Sequence, residues 1–278
     1  MRYVGIDLAW GDKNTTAVVV LEAREANDPA GGATLLATAE ALASDDDILA
    51  FVDAHDNGNG LLVAIDAPLI VPNVTGRRPC EAVLSACLAK VQAGPHPANR
   101  VRLATRNGTI RGERIAAALA LRSLPQTPFL ETLPAGQPPR AVFEVFPHPA
   151  HVALFGLTKT LKYKAKPGRT IETRLAEFAH YTDLLRGLVA ADPPLALPPE
   201  SSAWLARDLP LLALTALKRH EDALDALTCA YVALYHHRWG SSGTDGRSVV
   251  VGDLASGYIV TPADEAMRAC FSARRAAS

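Results

Sequence analysis

The stretch that most constrains this chain is Tyr3–Val4–Gly5–Ile6–Asp7–Leu8–Ala9–Trp10. Read with a period of two, Val4, Ile6 and Leu8 fall on one face, and Gly5 and Asp7 on the other. A short apolar run of this kind is the pattern of a strand buried on both sides. An ionisable group inside it is costly unless it is paired or binds a cation, and the plain alternative is a turn cap at the strand end. Gly5 leaves open space on the face where Asp7 emerges. Leu61–Ala67 (LLVAIDA) repeats the arrangement: Leu62, Ala64 and Asp66 share a face, with a small residue two positions before the acid. If the two strands are neighbours, about 4.8 Å apart, their carboxylates can share a divalent cation.

A chain of 278 residues can bury a large core, as one elaborated domain or two small ones. The net charge of −1 gives no global attraction to nucleic acid, so any basic surface must be local. The four cysteines (Cys80, Cys87, Cys229, Cys270) are far apart and lack C-x-x-C spacing, which suggests neither a zinc site nor a disulfide framework. The N-terminus enters a strand at once, leaving no visible signal peptide, and no apolar run reaches the ~18 residues of a membrane span. The expectation is a cytoplasmic protein with no membrane partner.

In chain order, Thr15–Glu22 is a β-branched strand joined to the first by the turn at 11–14, and Ala33–Ala39 a third strand after the polar turn at 25–32. Ser44 followed by Asp45–Asp47 predicts a capping box opening a helix to about Ala54, rather than a metal site. After the strand at 61–67 comes a loop with Asn73, Thr75, Gly76, Arg77 and Arg78, of which Asn73, Arg77 and Arg78 are candidate substrate contacts. Helices are expected at about 79–92 and 112–124. Ala141–Phe146 is another strand with an acid inside it, Glu144, between the bulky same-face neighbours Val142 and Phe146. His148 and His151 follow at i,i+3 spacing, which could present both to a metal if helical, but His-Pro-x-x-His at a strand exit is a weak signal and a surface or capping role is expected.

The basic stretch around Tyr163 carries Lys159, Lys162, Lys164, Lys166, Arg169 and Arg174. It reads either as a solvated loop leading into a helix at about 170–190 or as cations and an aromatic offered to a polyanion. Asp192–Pro199 is Pro-rich and reads as a connection. From about Leu211 to Trp239 the pattern is helical. Asp222, Asp225, Ala226, Cys229 and Ala233 form one face, two acids followed by small residues that let the helix lie close against a sheet. Gly257–Pro262 makes a last strand, and Asp264 helps to cap a terminal helix.

Three strands, a helix, a strand, helices, a strand and a final acidic helix is the order of an RNase H-like domain. GIDLAWG (5–11), AIDAPLIVPNVTGRR (64–78), EVFPHPA (144–150), LKYK (161–164) and HEDALDALTCAYVA (220–233) resemble the family called domain of unknown function 429, described as predicted RNase H-like nucleases. The resemblance implies an α/β fold: an RNase H-like mixed five-stranded sheet flanked by helices. It implies a single domain over 1–278, with insertions at about 73–139 and 151–215. The Asp-x-x-Asp-Ala-Leu of the last helix is also similar to that of RuvC-type junction resolvases. Matching motif to motif, the acids carried over are Asp7, Asp66, Asp222 and Asp225, as metal ligands and catalytic groups. Glu144 lies on the fifth strand, where that pattern demands no acid, and joins them as a further candidate.

The implied chemistry is hydrolysis of phosphodiester bonds in a nucleic acid or nucleotide, with two Mg²⁺ or Mn²⁺ ions holding the attacking water and the leaving oxygen. Lys162, Lys164 and Lys166 would contact the substrate. Two other classes compete. GIDLAWGDKNTTA resembles the first phosphate loop of actin-like sugar kinases and ATPases, which need a second loop and an adenosine-binding segment not found here. A non-catalytic nucleic-acid-binding module would have no use for the retained acids.

Overall fold

The computed structural model describes residues 1–11, 14–25, 28–240 and 246–276. It begins with β1 (Arg2–Asp7), β2 (Thr16–Ala23), β3 (Ala33–Leu42), α1 (Asp45–Ala54) and β4 (Leu61–Ile65). Then come α2 (Pro79–Cys87), α3 (Arg100–Leu103), α4 (Arg111–Ala120), β5 (Arg140–Glu144), α5 (Pro147–Phe155) and α6 (Ile171–Gly187). β6 (Leu195–Ala196), α7 (Pro199–Ser202), α8 (Leu214–Trp239), β7 (Ser248–Asp253), β8 (Gly257–Pro262) and α9 (Glu265–Arg275) follow. Residues 12–13 of the expected turn at 11–14, and 26–27 of that at 25–32, lie outside the described residues.

The strands form a mixed sheet in the order β5-β4-β1-β2-β3-β6. β1, β2 and β3 pair antiparallel, whereas β4 runs parallel to β1 and to β5. The expected five strands become six. The Pro-rich connection supplies the two-residue edge strand β6, which pairs parallel with β3, where Ala33 donates a backbone hydrogen bond to Pro194 at 3.0 Å. A separate hairpin joins β7 and β8. The sequence reading predicts only its second strand, although Ser248–Val251 carries the same β-branched pattern.

The period-two reading of β1 has a direct structural counterpart. Val4 and Ile6 pack with Val18, Val20, Val63 and Ile65 beneath Ile48, Leu49 and Val52 of α1 and Ile115 and Leu119 of α4. The capping box at Ser44 and Asp47 opens α1, so the three aspartates there serve the helix end. The opposite face of the sheet packs Tyr3, Val19, Leu62, Ala64 and Phe143 against α8, through Ala223, Ala226, Leu227, Ala230 and Ala233. Gly5 marks the closest approach. A Cβ there would lie 2.0 Å from Ala226 O and 2.2 Å from Ala230 N, so only glycine lets the helix backbone rest on the strand.

A third apolar cluster joins α2, β7, β8 and α9 through Leu84, Val249, Val251, Ile259, Met267 and Phe271. Cys87 and Cys270 form a disulfide between α2 and α9. This corrects the expectation of no disulfide. The partners are 183 residues apart and meet only because α9 folds back onto α2, which no local spacing reveals.

Candidate functional site

β1 ends at Asp7, and the parallel register sets Ile6 beside Ile65, so Asp66 follows β4 next to it. The backbone N–H of Asp66 donates to Ile6 O at 2.8 Å, which fixes the two acids side by side. The carboxyl ends of neighbouring parallel strands are where open α/β sheets place their ligands. α8, held down on Gly5, delivers Asp222 and Asp225 to the same place. The four carboxyl groups act on one another: burial first, and then the Asp225 charge, push Asp7 well above its ordinary range, with Asp222 and Asp66 adding to the effect. Burial pushes Asp66 up to about 7, against the attraction of Lys164. Burial also raises Asp222, although Lys218 and a hydrogen bond with Asp7 favour its charged form.

Asp225 is the exception. It is fully buried, yet the Lys164 ammonium, with its Nζ 2.8 Å from Asp225 Oδ2, overcomes desolvation and lowers the acid to about 2. Tyr163 OH donates to Asp225 Oδ1 at 2.6 Å and Tyr181 OH to the same oxygen at 3.2 Å. Asp7 and Asp66 also act on Lys164 and keep it charged despite its burial. The lysine is a built-in counter-cation for the cluster. On the solvent side, Lys218 donates to Glu221 at 2.9 Å and to Asp222.

The other sequence candidates fall into two groups. Lys162 and Lys166 line a cleft of about 510 Å³ that has Asp7 and Asp66 among its walls, and Lys162 Nζ donates to Gln92 at 2.5 Å. Arg77 is exposed nearby, and its charge acts on His96 of the same cleft. Arg78, Asn73 and Glu144 are engaged by partners within the protein, and Arg78 and Glu144 line the same cleft. Arg78 is only 1% exposed and forks onto Glu144, with NH1 2.8 Å from Oε2 and NH2 2.6 Å from Oε1. Its Nε also reaches Glu81 at 2.8 Å, so in the cleft wall it is engaged by two buried carboxylates. Glu144 takes a further hydrogen bond from the Leu69 N–H at 2.9 Å, which leaves it a buried ion-pair partner rather than a free acid. The Asn73 amide clips its own loop, donating to Thr75 O and Ala98 O.

His148 is half-buried in the cleft wall, its Nδ1 3.0 Å from Thr160 Oγ1, and His151 is not the surface or capping residue expected. Pro147 starts α5 directly at the end of β5, which turns His151 into the core, 2.6 Å from Tyr181 OH. Burial holds it down to about 4, so it is neutral. Sequence reasoning missed Tyr181 altogether, since nothing ties a tyrosine of α6 to an acid of α8. Lys218 could have been found: it stands three and four residues before Glu221 and Asp222, the spacing at which helical side chains meet.

Among the described residues, no three or more His, Cys, Asp or Glu side chains are already arranged to hold a metal ion. The lysines account for this, because Lys164 engages Asp225 and Lys218 engages Asp222. The donor set itself suits a hard divalent cation: carboxylate oxygens only, from acids whose charged forms a bound cation would favour.

Fold and site together define an α/β protein with a buried carboxylate cluster at the carboxyl ends of its two central parallel strands. Residues 5–246 match the family described as Protein of unknown function (DUF429), and the chain belongs to that family. No curated protein and no solved structure matches it.

Proposed function

We propose that this chain is a metal-dependent nuclease of the RNase H-like class, hydrolysing phosphodiester bonds at Asp7, Asp66, Asp222 and Asp225. The observation that carries this reading is the convergence of four carboxylates from three separate elements, at the cost of pushing three of them above their ordinary pKa. A fold does not hold that much like charge together without a use for it. The sheet order supports the class, with β1 central, antiparallel strands on one side of it and parallel strands on the other.

Two Mg²⁺ or Mn²⁺ ions, when bound, would stabilise the attacking and leaving oxygens of an in-line displacement. Asp7, Asp66 and Asp225 are the residues to hold them, with Asp222 assisting. Tyr163 and Tyr181 fix the orientation of Asp225 through its Oδ1. Lys164 balances the cluster and, lining the cleft, faces the place where a scissile phosphate would bring further negative charge. Glu221 is peripheral, paired with Lys218 and 3.7 Å from Arg174.

The test is a cleavage screen over branched DNA, RNA–DNA hybrids, structured RNA and small phosphodiesters, with Mg²⁺ or Mn²⁺ against chelator. Metal-dependent cleavage is expected, abolished by Asp225→Asn. Asp222→Asn should reduce it by roughly 10–100-fold, the usual effect of losing a group that supports a metal ligand. Glu221→Gln should be mild. Should Glu221→Gln be as damaging as Asp225→Asn while Asp222→Asn stays active, the helix pair is assigned one residue out. Absence of cleavage on every substrate class would remove the nuclease reading.

A further inference from the structure

We infer that the cleft beside the acid cluster takes a single nucleic-acid strand, or a strand end, in preference to a duplex. This rests on the nuclease reading and narrows it to a substrate class. The argument begins with shape. Asp7 and Asp66 stand in the wall of a cleft of about 510 Å³, the size of a site that encloses a small ligand. A duplex is a stiff rod, whereas an unpaired strand can bend to follow a recessed cleft.

Charge and chemistry along the cleft match an unpaired strand. Lys162, Lys166 and Arg169 line one wall. His96 lines the cleft too, and its ring is held below its ordinary pKa by burial first and then by the charges of Lys166, Arg102, Lys164 and Arg77. Cations therefore surround the cleft from two segments, residues 77–102 and the stretch after Tyr163. Lys166, Arg77 and Arg102 form no ion pair with a carboxylate among the described residues, so their charge is available to phosphates.

The remaining feature is aromatic. Trp10 stands three residues beyond Asp7 on the same cleft and is 45% exposed, although large apolar side chains are usually covered. Pro68 and Pro95 give the cleft further apolar surface. A cationic groove with an exposed aromatic face is how sequence-tolerant single-strand binding works, because every base has a face to stack. A duplex, with its bases already stacked, has nothing to offer Trp10.

The experiment is fluorescence anisotropy on the full chain in chelator, so that binding is read without cleavage. The probes are labelled oligo-dT, oligo-U and a blunt DNA duplex of equal length. One or both single strands should bind about tenfold or more tighter than the duplex, and the dT and U arms distinguish DNA from RNA. Trp10→Ala should weaken single-strand binding about tenfold, the loss of one stacked base. Lys166→Ala should lower the slope of log affinity against log salt by roughly 0.7, one single-strand phosphate contact. Both residues are exposed, so neither change threatens the fold. Equal or tighter binding of the duplex overturns the inference, as does Trp10→Ala binding single strands unchanged. Failure of the nuclease reading is distinct: single-strand preference in chelator with no cleavage when metal is added.

Discussion

At the scale of single residues, two acids with similar surroundings in the sequence have different fates. Asp66 and Glu144 both end hydrophobic strands, and both are driven upward by burial. What separates them is Arg78, which neutralises Glu144 from 66 positions away and leaves Asp66 to the cluster. A small residue stands two places before each acid of the cluster's strands, Gly5 before Asp7 and Ala64 before Asp66, whereas the bulky Val142 stands before Glu144, which the sequence reading nonetheless kept as a candidate. Asp7 can be tested without any substrate. Burial and the neighbouring charges of Asp225, Asp222 and Asp66 all disfavour its ionised form, a cost that an amide does not carry. Asp7→Asn should therefore melt at the same temperature as the parent or higher in metal-free buffer, while losing Mn²⁺ binding by calorimetry. A large loss of stability without metal would instead make Asp7 a structural acceptor. A second residue reports on folding alone. His237 shares a 2.9 Å hydrogen bond with Tyr3 OH and is held down to about 4 by burial first and then by His236. Between about 4 and the ordinary value near 6.5, the unfolded chain binds more protons than the folded one, so stability rises with pH across that window. It is complete above the window and falls away as acid is added. His237→Gln should flatten urea midpoints measured between those pH values; an unchanged slope would place the acid sensitivity on other buried histidines.

At the scale of elements, the site is a consequence of how α8 lies on β1. The helical stripe of Ala226, Cys229 and Ala233 is legible in the sequence, and so is the glycine at position 5, but not that they meet. That contact is set by the whole sheet, whose opposite face is filled by α1 and α4. The strands β1 to β5 and β8 were legible because their apolar runs are long or β-branched, whereas β7 was missed despite such a run. β6 was not legible, because two residues paired at an edge carry no periodicity. Gly5→Ala tests the seating of the helix. The added methyl would meet the backbone of Ala226 and Ala230, which cannot rotate away as a side chain would. Overpacking of this kind typically costs 1–3 kcal/mol, and a backbone collision belongs at about 3 kcal/mol or above. Chemical denaturation should show that loss, and any folded fraction should bind Mn²⁺ more weakly because Asp222 and Asp225 are lifted from Asp7. A Gly5→Ala protein as stable as the parent would mean that the helix is not seated on this residue.

At the scale of the whole molecule, the sheet and α8 are only part of what holds the cleft. Ile259 of β8 lines it, and so do Arg78 and Glu81 at the start of α2. These residues belong to, or adjoin, the third apolar cluster, which α9 closes from the far end of the chain. That arrangement was the least legible part of the sequence. Its strands and helices are short, and its partners lie far apart along the chain. The Cys87–Cys270 disulfide crosses the cluster, while Cys80 and Cys229 stay buried as free thiols. Alkylation of the unfolded, unreduced protein should accordingly label two cysteines by mass spectrometry. A link closing 183 residues restricts the unfolded chain strongly, although measured disulfide contributions cluster near 2–4 kcal/mol whatever the loop. Cys87→Ser should lower the unfolding free energy by about that amount. The Arg78–Glu144 fork should report the local consequence. Without the staple, α2 is held by its packing and by the polar contacts of Arg78 and Glu81 at its start, and amide exchange should quicken first in the last turn of α2 and in α9 and leave α8 and β1 protected. Uniform exchange across the chain would show instead that the staple stabilises one cooperative unit, with the cleft wall no looser than the acid cluster it faces.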